Sequence, residues 1–106
     1  MEQNIVPYQV SGHAINYHMP KEVDHHVAQK LCKELDMLIE AYQIKELTLD
    51  FIETEFMDSS GIGVVIGRSK TLRFRDGKLY VRNLNHRIDA IFRAIGLYKV
   101  ADLKEE

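Results

Sequence analysis

Between positions 27 and 51 the apolar pattern changes its period, and that switch constrains the fold more than any other feature of the chain. Val27, Leu31, Leu35, Leu38, Ile39 and Tyr42 recur at intervals of three and four, the spacing of one helix face, with Asp24 placed to cap its start. Directly afterwards Leu47, Leu49 and Phe51 alternate with Thr48 and Asp50, the period of a strand with one covered face. A helix that feeds a strand within a few residues has to lay its apolar stripe on a sheet, so the chain reads as α/β.

The same alternation continues on both sides. Two β-rich stretches, 5–10 and 14–19, flank Ser11-Gly12-His13 and predict a hairpin, and Pro7, which lacks a donor, sends its first strand to a sheet edge. A second helix is expected from Ser59 or Ser60 to Asp76-Gly77, with Ile62, Val65, Ile66 and Leu72 facing inward. Arg68, Lys70, Arg73 and Arg75 then lie towards its carboxyl end, where the macrodipole favours cations. Leu79-Tyr80-Val81 reads as a strand, and Asn85 caps a short helix carrying Ile88, Ile91, Phe92 and Ile95 before Gly96. An apolar piece at 97–100 leaves room for one last strand. The expectation is a single domain over residues 1–106, a mixed sheet of four to five strands with helices packed mainly on one face.

Charge and cysteine use exclude several functions. Fourteen Lys and Arg against sixteen Asp and Glu, a net charge of −2, argue against a protein devoted to nucleic acid or to an anionic membrane. One cysteine rules out an internal disulfide framework and a multi-cysteine zinc site. With no basic n-region followed by an apolar run, and no stretch near the roughly 20 apolar residues that span a bilayer, the expected address is the cytoplasm. Six acids (Glu40, Glu46, Asp50, Glu53, Glu55, Asp58) against Lys45 fill 40–58, whereas 68–87 holds seven bases and only Asp76. The basic stretch reads as a solvated helix face with helix-end complementarity.

Phe56-Met57-Asp58-Ser59-Ser60-Gly61-Ile62-Gly63 is the informative segment, because it sets two hydroxyls at a helix amino terminus, where free amide donors would accommodate an added phosphate. Asp58 and the serines read equally well as ordinary caps. Gly61, Gly63 and Gly67 each cost a helix about 1 kcal/mol relative to alanine, so close approach to the sheet or to a partner should offset them. They also form a stretched dinucleotide fingerprint, with Arg82-Asn83 at the distance of a ribose contact. The spacing is one residue too long, the motif follows the third predicted strand, and no Gly-Lys-Ser/Thr closes a phosphate loop. A small nucleotide-binding module is therefore the weaker alternative. Asp24-His25-His26, with His13, His18 and His86 in reserve, makes a poor metal set, since neighbouring histidines on a helix diverge. Cys32 has nothing nearby to activate a thiolate, and no Gly-x-Ser-x-Gly elbow occurs. The chain is expected to need no metal or cofactor and to catalyse nothing.

Phe56 to Val64 with Gly67-Arg68 downstream, and Asp24-His25-His26 heading the long helix, closely resemble the anti-sigma factor antagonists of Gram-positive bacteria, the sporulation branch above all. The resemblance runs on through Asn83-Leu84-Asn85 to Phe92 and Gly96-Leu97. It implies the STAS fold and partner switching: the unphosphorylated chain binds an anti-sigma factor that is also a serine kinase, and phosphorylation breaks the complex. The implied acceptor is Ser59, restored by a serine phosphatase. Asp24, Asp58, Ser60, Gly61, Ile62 and Gly63 would meet the partner, with Gly61 and Gly63 admitting its backbone and Ile62 an apolar anchor. A STAS subunit of another regulatory or transport complex is the alternative within the same fold.

Overall fold

The computed structural model describes residues 6–105. Strands β1 (Tyr8–Ser11) and β2 (Ala14–His18) form the hairpin, with Ser11 opposite Ala14. Of the two loop residues only Gly12 has a positive φ, +60°, the pattern of a II′ turn that a side chain would strain. Pro7 lies just outside β1, its carbonyl accepting from the His18 amide at 2.6 Å; the expected start of that strand at Ile5 falls outside the described residues. Then follow β3 (Glu22–Val23), α1 (His25–Tyr42), β4 (Glu46–Asp50), β5 (Phe56–Met57), α2 (Ser59–Phe74), β6 (Lys78–Arg82) and α3 (His86–Ile95). A one-turn 3-10 helix (Leu97–Lys99) and β7 (Asp102–Leu103) end the chain. Among the described residues no helix is long and apolar enough to cross a membrane.

Five strands form the main sheet in the order β1-β2-β4-β6-β7, antiparallel at the hairpin and parallel elsewhere. Because β2, β4, β6 and β7 advance in one direction, right-handed crossovers put the connecting helices on one face. That face is apolar: Ile15, Leu47 and Leu79 lie abreast, as do Tyr17, Leu49 and Val81, and all are buried beneath Leu31, Leu35, Leu38, Val65 and Leu72. Just after β4 the Phe51 ring meets that of Phe92 in α3 edge to face, centroids 6.0 Å apart. The other face is polar and laced with ion pairs, Glu46 with Lys104 at 2.8 Å and Lys78 with Asp102 at 2.9 Å.

Four expectations need correction. The strand β4 is not covered on one face only: Thr48 and Asp50 are 3% and 5% exposed, because as the central strand β4 is flanked by Asn16 and Tyr80 at Thr48 and by His18 and Arg82 at Asp50. Asp50 keeps its charge satisfied there by accepting from the Ile52 amide and the Asn83 side chain, both at 3.0 Å. Ile66 points outward, 38% exposed, since the inner face of α2 is filled by Gly61, Val64, Val65, Arg68, Ser69 and Leu72. Arg68 is buried rather than solvated, paired at 3.0 Å with Asp36 of α1. Finally, α2 stops at Phe74, and the left-handed residue after it is Asp76 (φ +57°) rather than Gly77. Gly77 serves another need: a Cβ there would lie 2.7 Å from the Lys45 carbonyl oxygen.

Candidate partner-binding site

A second, two-stranded sheet that the sequence pattern did not announce assembles the site. Strands β3 and β5 pair in parallel, Glu22 beside Phe56 and Val23 beside Met57. The next residues, Asp24 and Asp58, are the caps of α1 and α2, so the two helix amino termini start side by side. The Asp24 carboxylate accepts from the Val27 amide at 2.9 Å, that of Asp58 from the Ser60 amide at 2.7 Å, and the Asp58 amide donates to the Val23 carbonyl at 3.2 Å. The helices then run parallel, as shown by contacts in order along them: His25 near Ser60, Asp36 on Arg68, Glu40 on Arg75.

Ser59 is the first residue of α2 and is exposed; Ser60 is half-buried, its hydroxyl 3.5 Å from His25 Nδ1. The three glycines separate into two kinds. Gly61 is buried, and a Cβ there would fall 2.1 Å from Met57 Cγ and 3.2 Å from Val23 Cγ1, so its cost to the helix is offset by packing on the small sheet. At Gly63 and Gly67 a Cβ would meet nothing within 4 Å. Gly63 borders a groove of about 530 Å³ between the helices, walled also by His25, Gln29, Cys32 and Ser60. Ile62 is half-buried against the core rather than a free anchor. The exposed apolar residues at this end are Ile52 (62%) and Phe56 (49%), which sequence reasoning passed over. A two-residue strand is too short to reveal that Met57 faces in and Phe56 out.

The end of the molecule is acidic. Glu22, Glu53 and Glu55 are exposed around the two capping aspartates, and Lys21 approaches Glu55 at 3.7 Å with both side chains open to water, which screens that pair to little effect. The groups with shifted pKa lie elsewhere: the Tyr98 phenol is pushed up to about 12, mainly by burial and then by donating to Asp89 at 2.6 Å. His25 and His26 hold their rings 6.1 Å apart at 60°, and the described residues contain no group of three His, Cys, Asp or Glu able to hold an ion. Arg82 and Asn83 are engaged with Asp50, and Gly61 is filled by Met57 and Val23, an arrangement that gives the dinucleotide fingerprint no support. Much of the basic stretch is likewise engaged within the chain, through Asp36, Glu40, Asp50 and Asp102.

Residues 5–106 match the STAS domain model. The chain is 36% identical over 86 residues to the anti-sigma-B factor antagonist of Listeria monocytogenes, covering 78% of this chain and 72% of that protein. It is 32% identical over 79 residues to the anti-sigma F factor antagonist of Paenibacillus polymyxa, covering 74% and 68%. Among solved structures, the unphosphorylated form of the anti-sigma factor antagonist SpoIIAA superposes with a TM-score of 0.81 at 24% identity, over 93% of this chain and 89% of that one. Sheet order, the three helices and the match over almost the full length agree: the chain belongs to the STAS domain family, alongside relatives that are anti-sigma factor antagonists.

Proposed function

We propose that this protein is an anti-sigma factor antagonist that works by partner switching. In its unphosphorylated form it binds an anti-sigma factor with serine kinase activity, so that the sigma factor is released; phosphorylation of Ser59 ends the binding, and a serine phosphatase renews it. The protein is a regulated ligand, not an enzyme, and its place is the cytoplasm with its partners. One observation carries the reading: Ser59 is exposed at the head of α2, where two capped helix termini and an acidic, apolar-tipped surface converge. Asp24, Asp58, Ser60 and Gly63 lie on that surface, with Phe56 and Ile52 as its exposed apolar contacts.

The physics of the switch follows from the position. A phosphate at a helix amino terminus is locally favourable by about 0.3–1 kcal/mol, so the domain stays folded. At an interface shaped for a neutral hydroxyl the same charge is desolvated without a partner, on the scale of 2–5 kcal/mol, or roughly 30-fold or more in affinity. The test is incubation with the cognate anti-sigma kinase and ATP, which should add one phosphate, mapped to Ser59 and absent from Ser59→Ala. Ser59→Asp should bind that kinase at least about 30-fold more weakly by calorimetry while its melting temperature stays at the parent value. Phosphate found on Ser60, or weak binding explained by a collapsed melting transition, defeats the proposal.

A further inference from the structure

The outer face of α2 is unpartnered from end to end. Ser59, Gly63, Ile66, Lys70, Arg73 and Phe74 are all exposed and fall within one stripe of the helix, which spans about 22 Å from first residue to last. Phe74 is 94% exposed, the most open large apolar side chain among those described, and Ile66 is 38% exposed. Along the same helix a Cβ at Gly63 or Gly67 would meet nothing within 4 Å, so nothing inside the fold requires either position to be bare. The stripe is also polarised: Lys70 and Arg73 stand at the Phe74 end, while the Ser59 end follows Glu53, Glu55 and Asp58.

A stripe with these properties is complementary to itself in reverse. When a second copy of α2 is laid antiparallel across a two-fold axis at Ile66 and Gly67, the bulk of Ile66 faces the bare Gly67. Lys70 then faces Gly63, Arg73 comes to Ser60, and Phe74 reaches the neighbourhood of Ser59, beside the acids that precede it. Apolar knobs meet glycine hollows and cations meet the acidic end, in a closed, isologous arrangement that cannot run on into a filament. We infer that the docking partner of this face is a second copy of the chain, joined through antiparallel α2 helices. One helix pair buries less than the roughly 1,200 Å² of a stable complex, so the dimer is weak and concentration-dependent. It covers Ser59, and the consequence that dimer and anti-sigma factor exclude one another rests on the function proposed above; the dimer itself does not.

Sedimentation of the full chain from about 10 μM to about 1 mM, at low and at physiological salt, reads the association directly. A reversible monomer–dimer equilibrium is expected, weakened at least tenfold in Phe74→Ser, in Lys70→Glu and in Gly67→Leu. At Gly67 a Cβ meets nothing within 4 Å, so the melting temperature of Gly67→Leu should not fall, which separates a lost contact from a lost fold. Phosphorylation of Ser59 brings a dianion towards Arg73 of the second copy and should tighten the dimer. A strictly monomeric chain at 1 mM and low salt overturns the inference, as does a dimer that all three variants leave intact. Loss of kinase binding in Ser59→Asp with the dimer preserved supports both proposals; a dimer without any kinase binding supports this one alone.

Discussion

Three glycines that look alike in the sequence are set apart by a few ångströms of neighbouring side chain. Gly61 faces Met57 and Val23, buried at 5% and 0% exposure, and an added methyl must displace them. Gly61→Ala should therefore lose about 1–3 kcal/mol despite the better helix propensity of alanine. Gly67→Ala has no such neighbour and should gain up to about 1 kcal/mol. Urea unfolding of the two variants, compared at equal slope, checks both signs; a neutral Gly61→Ala would mean that the small sheet yields freely. The sequence flagged all three as costly. It could not tell which cost was met inside the fold, because the residues that meet it come from β3 and β5.

At the scale of elements, the ends of α1 and α3 were legible because caps are local chemistry. Asp24 and Asn85 each accept from the amide three residues on, at 2.9 Å, and Gly96 ends α3 at φ +72°. Asn85 also does something its spacing did not reveal: its amide donates to the Thr54 carbonyl at 3.0 Å, tying the start of α3 to the loop before β5. Asn85→Ala removes both bonds and should cost about 1–3 kcal/mol, a melting shift of at least about 4 °C for a domain of this size. Asn85→Asp keeps the cap, loses only the donor and should fall between; if the two variants melt alike, the bond to Thr54 contributes nothing. The inward assignment of Ile66 failed for a related reason. An apolar residue one position off the stripe has the same local pattern, and only the neighbouring element decides which flank is covered.

For the whole molecule, stability at high and low pH depends in part on a buried phenol, a half-buried one and a surface carboxylate. Tyr98 is raised to about 12 from its ordinary 10, by burial and then by its bond to Asp89; Tyr17 is raised further, by burial and then by donating to Glu34 at 2.6 Å. Above pH 10 the unfolded chain loses these protons while the folded chain keeps them, so their contribution is full below 10 and falls as pH rises towards 12 and beyond. Asp89 runs the other way: the Tyr98 hydroxyl and then Arg93 hold its pKa below the ordinary 3.8, so its contribution is present above that value and is lost as pH falls through the folded one. Urea midpoints should decline from pH 10 upward, and Tyr98→Phe should flatten that decline; an equally steep fall in the variant would remove the phenol as its cause. What the sequence by itself determined are the properties that local chemistry and periodicity write down: the α/β class, the helix caps, the hairpin and the serine pair at a helix start. Tertiary structure alone decided that Asp24 and Asp58 stand together, that Gly61 is closed and Gly63 open, and that Arg68 is buried on Asp36. It also decided that Phe56 and Phe74 face water. Each of these depends on which distant segment lies alongside, and a two-residue strand pairing across more than thirty positions leaves no periodic trace by which a single chain could announce it.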